Sequence, residues 1–383
     1  MNGATAAARF SRLETPALLL DEVRMQRNIE RMRARLARFG VAFRPHVKTN
    51  KCIEITRRLL ENPAGPITVS TLAEADYFAA HGVKDILYAV GIAPNKLDHV
   101  TNLRRQGVGL SIILDNADAA RAVVAHARKS GERLDVLIEI DADGLRSGVR
   151  PDAPELTTIG ALLDTDVTRL AGVMTHAGKS YACRSGDELR AMAEQERAAV
   201  VSAAERLRAA RLPCPIVSAG STPTALFAEN LDGVTEIRAG VFVFFDLVMA
   251  GIDVCQVDDI ALSVLATVIG QQSQKGWSIV DAGWMAMSRD RGTSGQPLDQ
   301  GYGLVCGIDG QPLPDLIVVD ANQEHGIVTS RPGGTAKPAL LEIGTQVRIL
   351  PNHACATAAQ FSRYQVMSGT GVLDKTWERM NGW

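Results

Sequence analysis

The chain has 383 residues, 46% apolar and 22% charged, with 41 Lys and Arg set against 43 Asp and Glu. Such a length suggests about two or three domains, and the composition is that of a globular protein, which sets disorder and fibrous structure aside. A formal charge of −2 leaves no basic excess to neutralise a nucleic-acid backbone or hold an anionic membrane, so neither is expected as a partner.

No apolar run approaches the roughly 20 residues of a membrane span. The opening MNGATAAARFSRLET has no apolar core before Glu14, so a cytoplasmic location is expected. The first strand signal is PALLLD (16–21), which could serve either half of the chain, and it leads into a helical stretch over 22–39. Eight apolar or β-branched runs follow, at 42–48, 67–71, 85–90, 110–115, 135–141, 170–178, 216–220 and 236–244. Apolar residues three and four apart mark helices between most of them, as over 53–60, 72–81, 117–130 and 187–210. LSIILD and DVLIEID are nearly continuous apolar runs, as a parallel sheet covered by helices requires. The alternation predicts an α/β fold, a (β/α)8 barrel of the TIM type, over 22–255. An open doubly wound sheet is the alternative, but RPHVKTNK after the first run lacks the glycines of a dinucleotide fingerprint.

After about residue 256 the helical period disappears. IALSVLATVIGQQ, WSIVDAG, LIVVDANQEHGIV and TQVRILP read as short strands separated by Gly, Pro and Asp. They predict a mainly antiparallel β domain over 256–383, with 1–21 a candidate to join it. The stretch 292–303, GTSGQPLDQGYG, is the most loop-like.

Chemistry in such a barrel sits where strands end. The first run ends at Lys48, whose amine could be a nucleophile toward a carbonyl if its surroundings are dry; an ordinary surface lysine is the plain alternative. THAGKSY brings His176 and Tyr181 to the same rim, where a structural role is equally open. Gly220, Ser221 and Thr222 offer backbone N–H groups and hydroxyls after the seventh run, and Gly240 after the eighth allows close approach, a combination suited to a phosphate. The six cysteines, Cys52, Cys183, Cys214, Cys255, Cys306 and Cys355, form no CxxC pair and no disulfide framework. Five read as small buried hydrophobes. Cys355 stands two residues from His353, and on an extended segment both would face one side and could bind a divalent ion, too few ligands for a closed structural zinc. A buried cysteine beside an unrelated histidine is the other reading. Glu324 and His325 are polar enough to line a site, and Arg289 or Arg291 could meet a second carboxylate on a substrate.

In order along the chain, PHVKT, LRSG, THAGKSY, GSTPT, RAGVFVFFD, DAGWMAMSRDRG, NQEHG and PNHACAT resemble the sequence blocks of the D-serine dehydratase and D-threonine aldolase family, in register over residues 46–357. The resemblance implies a pyridoxal 5'-phosphate lyase with an alanine-racemase-like barrel followed by a β domain. It implies Lys48 as the lysine that carries the cofactor, Arg146 near the cofactor's phenolic oxygen, His176 on its ring and Tyr181 at its pyridine nitrogen. Gly220, Ser221, Thr222, Gly240 and Val241 would hold the phosphate. His353 and Cys355 would bind a divalent metal, zinc, cobalt or manganese, the thiolate favouring zinc or cobalt over magnesium. The implied substrate is a small D-3-hydroxy amino acid, such as D-threo-3-hydroxyaspartate or D-serine, converted to a 2-oxo acid and ammonia by a homodimer. One departure stands out: Leu145 occupies the place of the histidine in the HRSG of related dehydratases.

Aldolases of the same family cleave Cα–Cβ instead, and their corresponding motifs look like His-x-Asp and GGGTG. His353-x-Cys355 and Gly220-Ser221-Thr222-Pro223 favour dehydration. A non-catalytic pyridoxal-phosphate carrier, the third reading, would resemble the barrel alone, so the segment 256–383 counts against it.

Overall fold

The computed structural model describes residues 10, 13–333, 340–369 and 373–383; most of the N-terminal stretch read for a leader lies outside the described residues. The chain divides into two compact units, residues 30–240 with 382–383, and residues 1–29 with 241–381. By compactness the division falls at Gly240, and it also passes through the first helix.

The chain opens with strand β1 (Ala17–Asp21) and helix α1 (Glu22–Ala37). The barrel unit then runs β2 (Ala42–Phe43), α2 (Ile53–Leu59), β3 (Ile67–Val69), α3 (Leu72–Ala80), β4 (Asp85–Gly91), α4 (Leu97–Arg105), β5 (Gly109–Leu114) and α5 (Ala117–Ser130). It continues with β6 (Leu134–Ile140), α6 (Glu155–Leu163), β7 (Thr168–Thr175), α7 (Gly186–Ala209), β8 (Ile216–Ala219), α8 (Thr222–Phe227) and β9 (Glu236–Ile237). All neighbours are parallel, in the order β2-β9-β8-β7-β6-β5-β4-β3. A parallel bridge between His46 and Thr68 joins the two edges, with Val47 N–H to Thr68 O and Thr68 N–H to Pro45 O both at 2.9 Å, so the ring closes.

The local signals explain the switches from strand to helix. Thr71, Asn116, Ser185 and Ser221 cap α3, α5, α7 and α8, each side chain accepting the N–H three residues on. Such caps are worth about 1 kcal/mol each and fix where each helix leaves the sheet. Leu87, Ile113, Leu137, Ala171 and Met174 form one apolar core cluster across β4 to β7. A second, polar layer is also buried: Glu236 accepts from Arg44 Nε at 2.9 Å and from Ser218 Oγ at 2.6 Å, and Arg238 donates to Ser218 and to the Thr175 carbonyl.

Two expected strands are much shorter than the sequence pattern. The run at 42–48 is a strand only to Phe43, followed by the His46 bridge and a turn that carries Lys48. The run at 236–244 leaves the sheet after Ile237, and Val241–Val243 is a 3-10 turn in which Phe245 N–H bonds Val241 O at 2.7 Å. Val241 to Phe245 are all buried, and an apolar run without a period cannot distinguish a strand from a buried turn.

The second unit holds α9 (Leu247–Gly251), β10 (Leu262–Gln272), β11 (Trp277–Val280), α10 (Trp284–Met287), β12 (Gly303–Cys306), β13 (Pro312–Ala321), β14 (Gly326–Ser330), β15 (Gln346–Pro351), α11 (Ala354–Ala358), β16 (Arg363–Met367) and β17 (Leu373–Glu378). β11-β14-β13-β12-β15-β10 close into an antiparallel barrel through the β10–β11 pairing, and β1, β16 and β17 extend from β10. β1 thus belongs to this unit: Leu19 packs with Phe10, Ala17, Leu265 and Met367. No helix among the described residues is long and apolar enough to cross a membrane.

Candidate active site

At the carboxyl ends of the barrel strands, Lys48 projects from the turn after the His46 bridge with its side chain exposed. His46 lies beside it, Nε2 3.4 Å from Ser70 Oγ and Nδ1 buried without a partner. Burial, then the charges of Lys48, Arg238 and His176, hold His46 well below the ordinary imidazole range. His176 follows β7. Burial, then Lys48 and Arg146, push it down to about 3, so it is uncharged at neutral pH. Its Nδ1 lies 3.1 Å from the Gly220 carbonyl, which can only accept, so Nδ1 carries the proton and Nε2 a lone pair. Tyr181 sits in the 3-10 turn Gly178–Ala182, its ring centroid 6.1 Å from that of His176 at 43°. Arg146 is exposed on the loop after β6, and its charge acts on both His176 and the buried Glu139.

The loop after β8 is tightly built. Gly220 has φ +121, and a Cβ there would stand 2.4 Å from Arg238 O. Ser221 Oγ accepts Thr224 N–H at 3.2 Å while Ser221 N–H donates to Thr224 Oγ1 at 2.9 Å, a reciprocal capping box at the start of α8. Thr222 is buried as the first residue of that helix. A Cβ on Gly240 would meet His46 O at 2.8 Å and Thr49 Oγ1 at 3.1 Å, so this glycine admits the neighbouring backbone. Val241 is buried and begins the 3-10 turn already described. A primary amine, an uncharged imidazole, a phenol and a guanidinium, with the orphaned Nδ1 of His46 beneath, make a donor set that fits an aromatic aldehyde phosphate such as pyridoxal 5'-phosphate.

The second unit carries the other candidate group. His353 is the extended N-cap of α11, and Cys355 lies in that helix's first turn. The motif is therefore not the uninterrupted extended segment expected from its spacing; the turn into the helix, not strand alternation, brings the thiol within hydrogen-bond reach of the imidazole. Cys355 is half-buried, whereas the other five cysteines are buried. Asp290 Oδ2 accepts from His353 Nδ1 at 2.6 Å, leaving Nε2 for another partner. Burial opposes a charge on His353, but the hydrogen bonds with Asp290 and Cys355 and the nearby Asp246 raise it to about 11. That anionic field favours a cation of any kind, and an imidazole oriented by a carboxylate beside a thiol fits a borderline-soft divalent ion. Among the described residues no group of three or more His, Cys, Asp and Glu that could hold a metal ion converges.

Sequence reasoning missed Asp290 and Asp246. Asp246 is buried and accepts Ala354 N–H at 2.9 Å and Met249 N–H at 3.0 Å, fixing the start of α11. Asp290 follows Ser288, whose φ of +75 and ψ of 164 lie in a region nearly reserved for glycine. Neither stands at metal-ligand spacing from His353, which is why the sequence offered no signal beyond their presence in polar motifs. Arg291 is committed to Asp299 at 2.7 Å and lies over the Tyr302 ring, while Arg289 is exposed over the Trp284 ring. Glu324 and His325 are exposed. The stretch 292–303 has no regular structure before β12 begins at Gly303 but is anchored: Asn352, next to His353, accepts from Thr293 Oγ1 at 2.7 Å and donates to Gly301 O at 2.6 Å.

Comparison with known proteins places these features among relatives. The alanine racemase N-terminal domain family matches residues 20–248, and a serine dehydratase domain family matches 261–367. D-threo-3-hydroxyaspartate dehydratase of Delftia sp. (strain HT23) is 55% identical over 97% of this chain and 98% of its own. A D-serine dehydratase of Dictyostelium discoideum is 29% identical over 98% of each chain, and a D-threonine aldolase of an Arthrobacter sp. is 30% identical over 96% of this chain and 93% of its own. The solved Delftia dehydratase superposes with a TM-score of 0.95, covering 98% of this chain and 100% of that one. A cysteine-to-alanine variant of a D-threo-3-hydroxyaspartate dehydratase, solved in the metal-free form, also superposes with a TM-score of 0.95.

Proposed function

Because the chain belongs to the alanine-racemase-like family that includes the D-serine dehydratases and D-threonine aldolases, we propose that it is a pyridoxal-phosphate- and metal-dependent dehydratase of a D-3-hydroxy amino acid. D-threo-3-hydroxyaspartate and D-serine are the first substrates to try. The observation that carries dehydration over aldol cleavage is the His353–Cys355 pair with Asp290 behind it, a donor set containing sulfur. The metal-free cysteine-to-alanine variant of a dehydratase supports a metal-binding role for such a cysteine.

When bound, pyridoxal phosphate draws electrons from the substrate's Cα, and a divalent ion makes a departing hydroxyl less basic. Lys48 would hold the cofactor through Nζ, and the same amine would accept the Cα proton. His176, uncharged and pinned by the Gly220 carbonyl, would offer a flat, neutral face to the cofactor ring. Tyr181 meets the ring nitrogen as a weak proton donor, so the ring is a poorer electron sink than beside a carboxylic acid, and more of the work falls on assisting the leaving hydroxyl. Arg146 would pair with the phenolic oxygen, and Gly220, Ser221, Thr222, Gly240 and Val241 would hold the phosphate. His353 and Cys355 hold zinc, cobalt or manganese, with Asp290 orienting the imidazole. Cα–H and Cβ–O bonds break, water leaves, and hydrolysis yields the 2-oxo acid and ammonia. The enzyme works as a cytoplasmic homodimer.

The test is incubation of the protein, with cofactor and metal, with D-threo-3-hydroxyaspartate, D-serine and D-threonine. A 2-oxo acid and ammonia in equal amounts are expected; glycine with an aldehyde would replace this reading by the aldolase one. Gel filtration at working concentration checks the dimer.

A further inference from the structure

A buried carboxylate that takes no part in the chemistry joins the two loops of the cofactor pocket. Glu196 projects from the middle of α7 and is 3% exposed. Its Oε1 accepts the Ala177 N–H at 2.7 Å, immediately after His176, and the Gly220 N–H and the Thr224 side chain also face the carboxylate. That bond anchors the loop after β7, and the two donors that face the carboxylate belong to the loop after β8 and the start of α8. Those loops also bond each other, through His176 Nδ1 to Gly220 O at 3.1 Å and Ser180 Oγ to Ser221 Oγ at 3.0 Å. These direct contacts are short, and one side chain rooted in a 24-residue helix faces both loops.

We propose that Glu196 is a positioning residue that locks the His176 loop to the Gly220–Thr222 loop, so that the phosphate-binding backbone is set before the cofactor arrives. The inference rests on the cofactor reading above. A carboxylate can accept from several donors at once, whereas an amide has a single oxygen and would aim an NH2 group at one of them. Glu196→Gln therefore leaves a buried donor facing a donor in a loop that must hold a fixed shape. An alternative, purely structural role would lower stability without regard to which ligand is bound.

The experiment compares pyridoxal 5'-phosphate with pyridoxal, which lacks the phosphate, binding to apoprotein, followed by absorbance near 420 nm and tryptophan quenching. Wild type should prefer the phosphorylated form strongly; if it does not, the cofactor reading itself fails. In Glu196→Gln that preference should fall roughly tenfold or more, with pyridoxal affinity little changed. A Glu196→Gln protein that folds and keeps the wild-type ratio would overturn the proposal. Glu196→Asp, which retains the charge on a shorter stem, should give an intermediate ratio and serves if the glutamine variant does not fold. In unaltered apoprotein the Ala177 and Gly220 amides should be among the slowly exchanging ones in deuterium exchange, and rapid exchange of both would also refute the lock.

Discussion

Gly220→Ala separates two costs that a glycine at positive φ can hide. Gly82 and Gly220 both have φ in the range that L residues rarely adopt, at +95 and +121, but a Cβ on Gly82 would meet nothing within 4 Å. Gly82→Ala therefore measures backbone strain alone, about 1–2 kcal/mol. At Gly220 the added carbon would lie 2.4 Å from Arg238 O and 3.0 Å from Arg238 N. Those are backbone atoms of the segment whose N–H bonds Ala219 O at 2.7 Å, so relief requires pulling that segment off β8. Losing that bond and its packing adds about 1–2 kcal/mol, for a total of about 3 kcal/mol. The displaced Gly220 carbonyl would also release His176 Nδ1. Urea unfolding of both variants, read by circular dichroism, should show Gly220→Ala more destabilised than Gly82→Ala, and cofactor titration should show weaker binding in Gly220→Ala alone. Equal destabilisation of the two, with wild-type cofactor affinity in both, would refute the close approach of the Gly220 loop to Arg238.

Cys355→Ala should lose the divalent ion, measured by elemental analysis after gel filtration, while retaining cofactor absorbance; full turnover after exhaustive chelation would remove the metal role altogether. Asp290→Asn, which keeps the shape but weakens the bond to His353, should reduce metal affinity about 10- to 100-fold by chelator competition. Glu236→Gln breaks a buried pair with Arg44 while Asp85 still holds that guanidinium at 2.7 Å, so chemical denaturation should show a loss of about 2–3 kcal/mol, short of a fully orphaned arginine. His176 has a folded pKa near 3, below the ordinary imidazole value of 6.5, so the unfolded chain binds more protons between those limits. Apoprotein stability should consequently rise with pH from about 3 to 6.5 and lose His176's contribution as pH falls through that window. His176→Phe should flatten this limb in pH-dependent denaturation, and an unchanged slope would place the acid sensitivity on other groups.

Much of the barrel was legible because its signals are local. Runs such as LDVLIEI are rich in buried apolar residues, and Thr71, Asn116 and Ser185 announce their helices, so the alternation of strand and helix survives without knowledge of the partners. The ends of the ring were not legible. Residues 42–48 and 236–244 carry the apolar content of strands, yet the chain leaves the sheet early in both, where Gly240 packs against the His46 carbonyl. That contact joins residues about 200 positions apart, and no local pattern encodes such a closure.

The candidate site divides in the same way. Sequence alone identified the residues whose chemistry is unusual for their place: Lys48 after an apolar run, a glycine-hydroxyl loop at 220–222, and a cysteine two residues from a histidine. The expectation of a small-molecule substrate came from the family resemblance, and the near-zero charge carried the expectation that nucleic acid is not a partner. Only the tertiary structure decided which groups support them. Asp290 and Asp246 frame His353, Glu196 accepts the Ala177 N–H beside His176, and burial beside Lys48 and Arg146 makes His176 neutral. Carboxylates and histidines are common in any chain, and what distinguishes these is desolvation and the direction of a hydrogen bond, properties that exist only once distant segments have packed together.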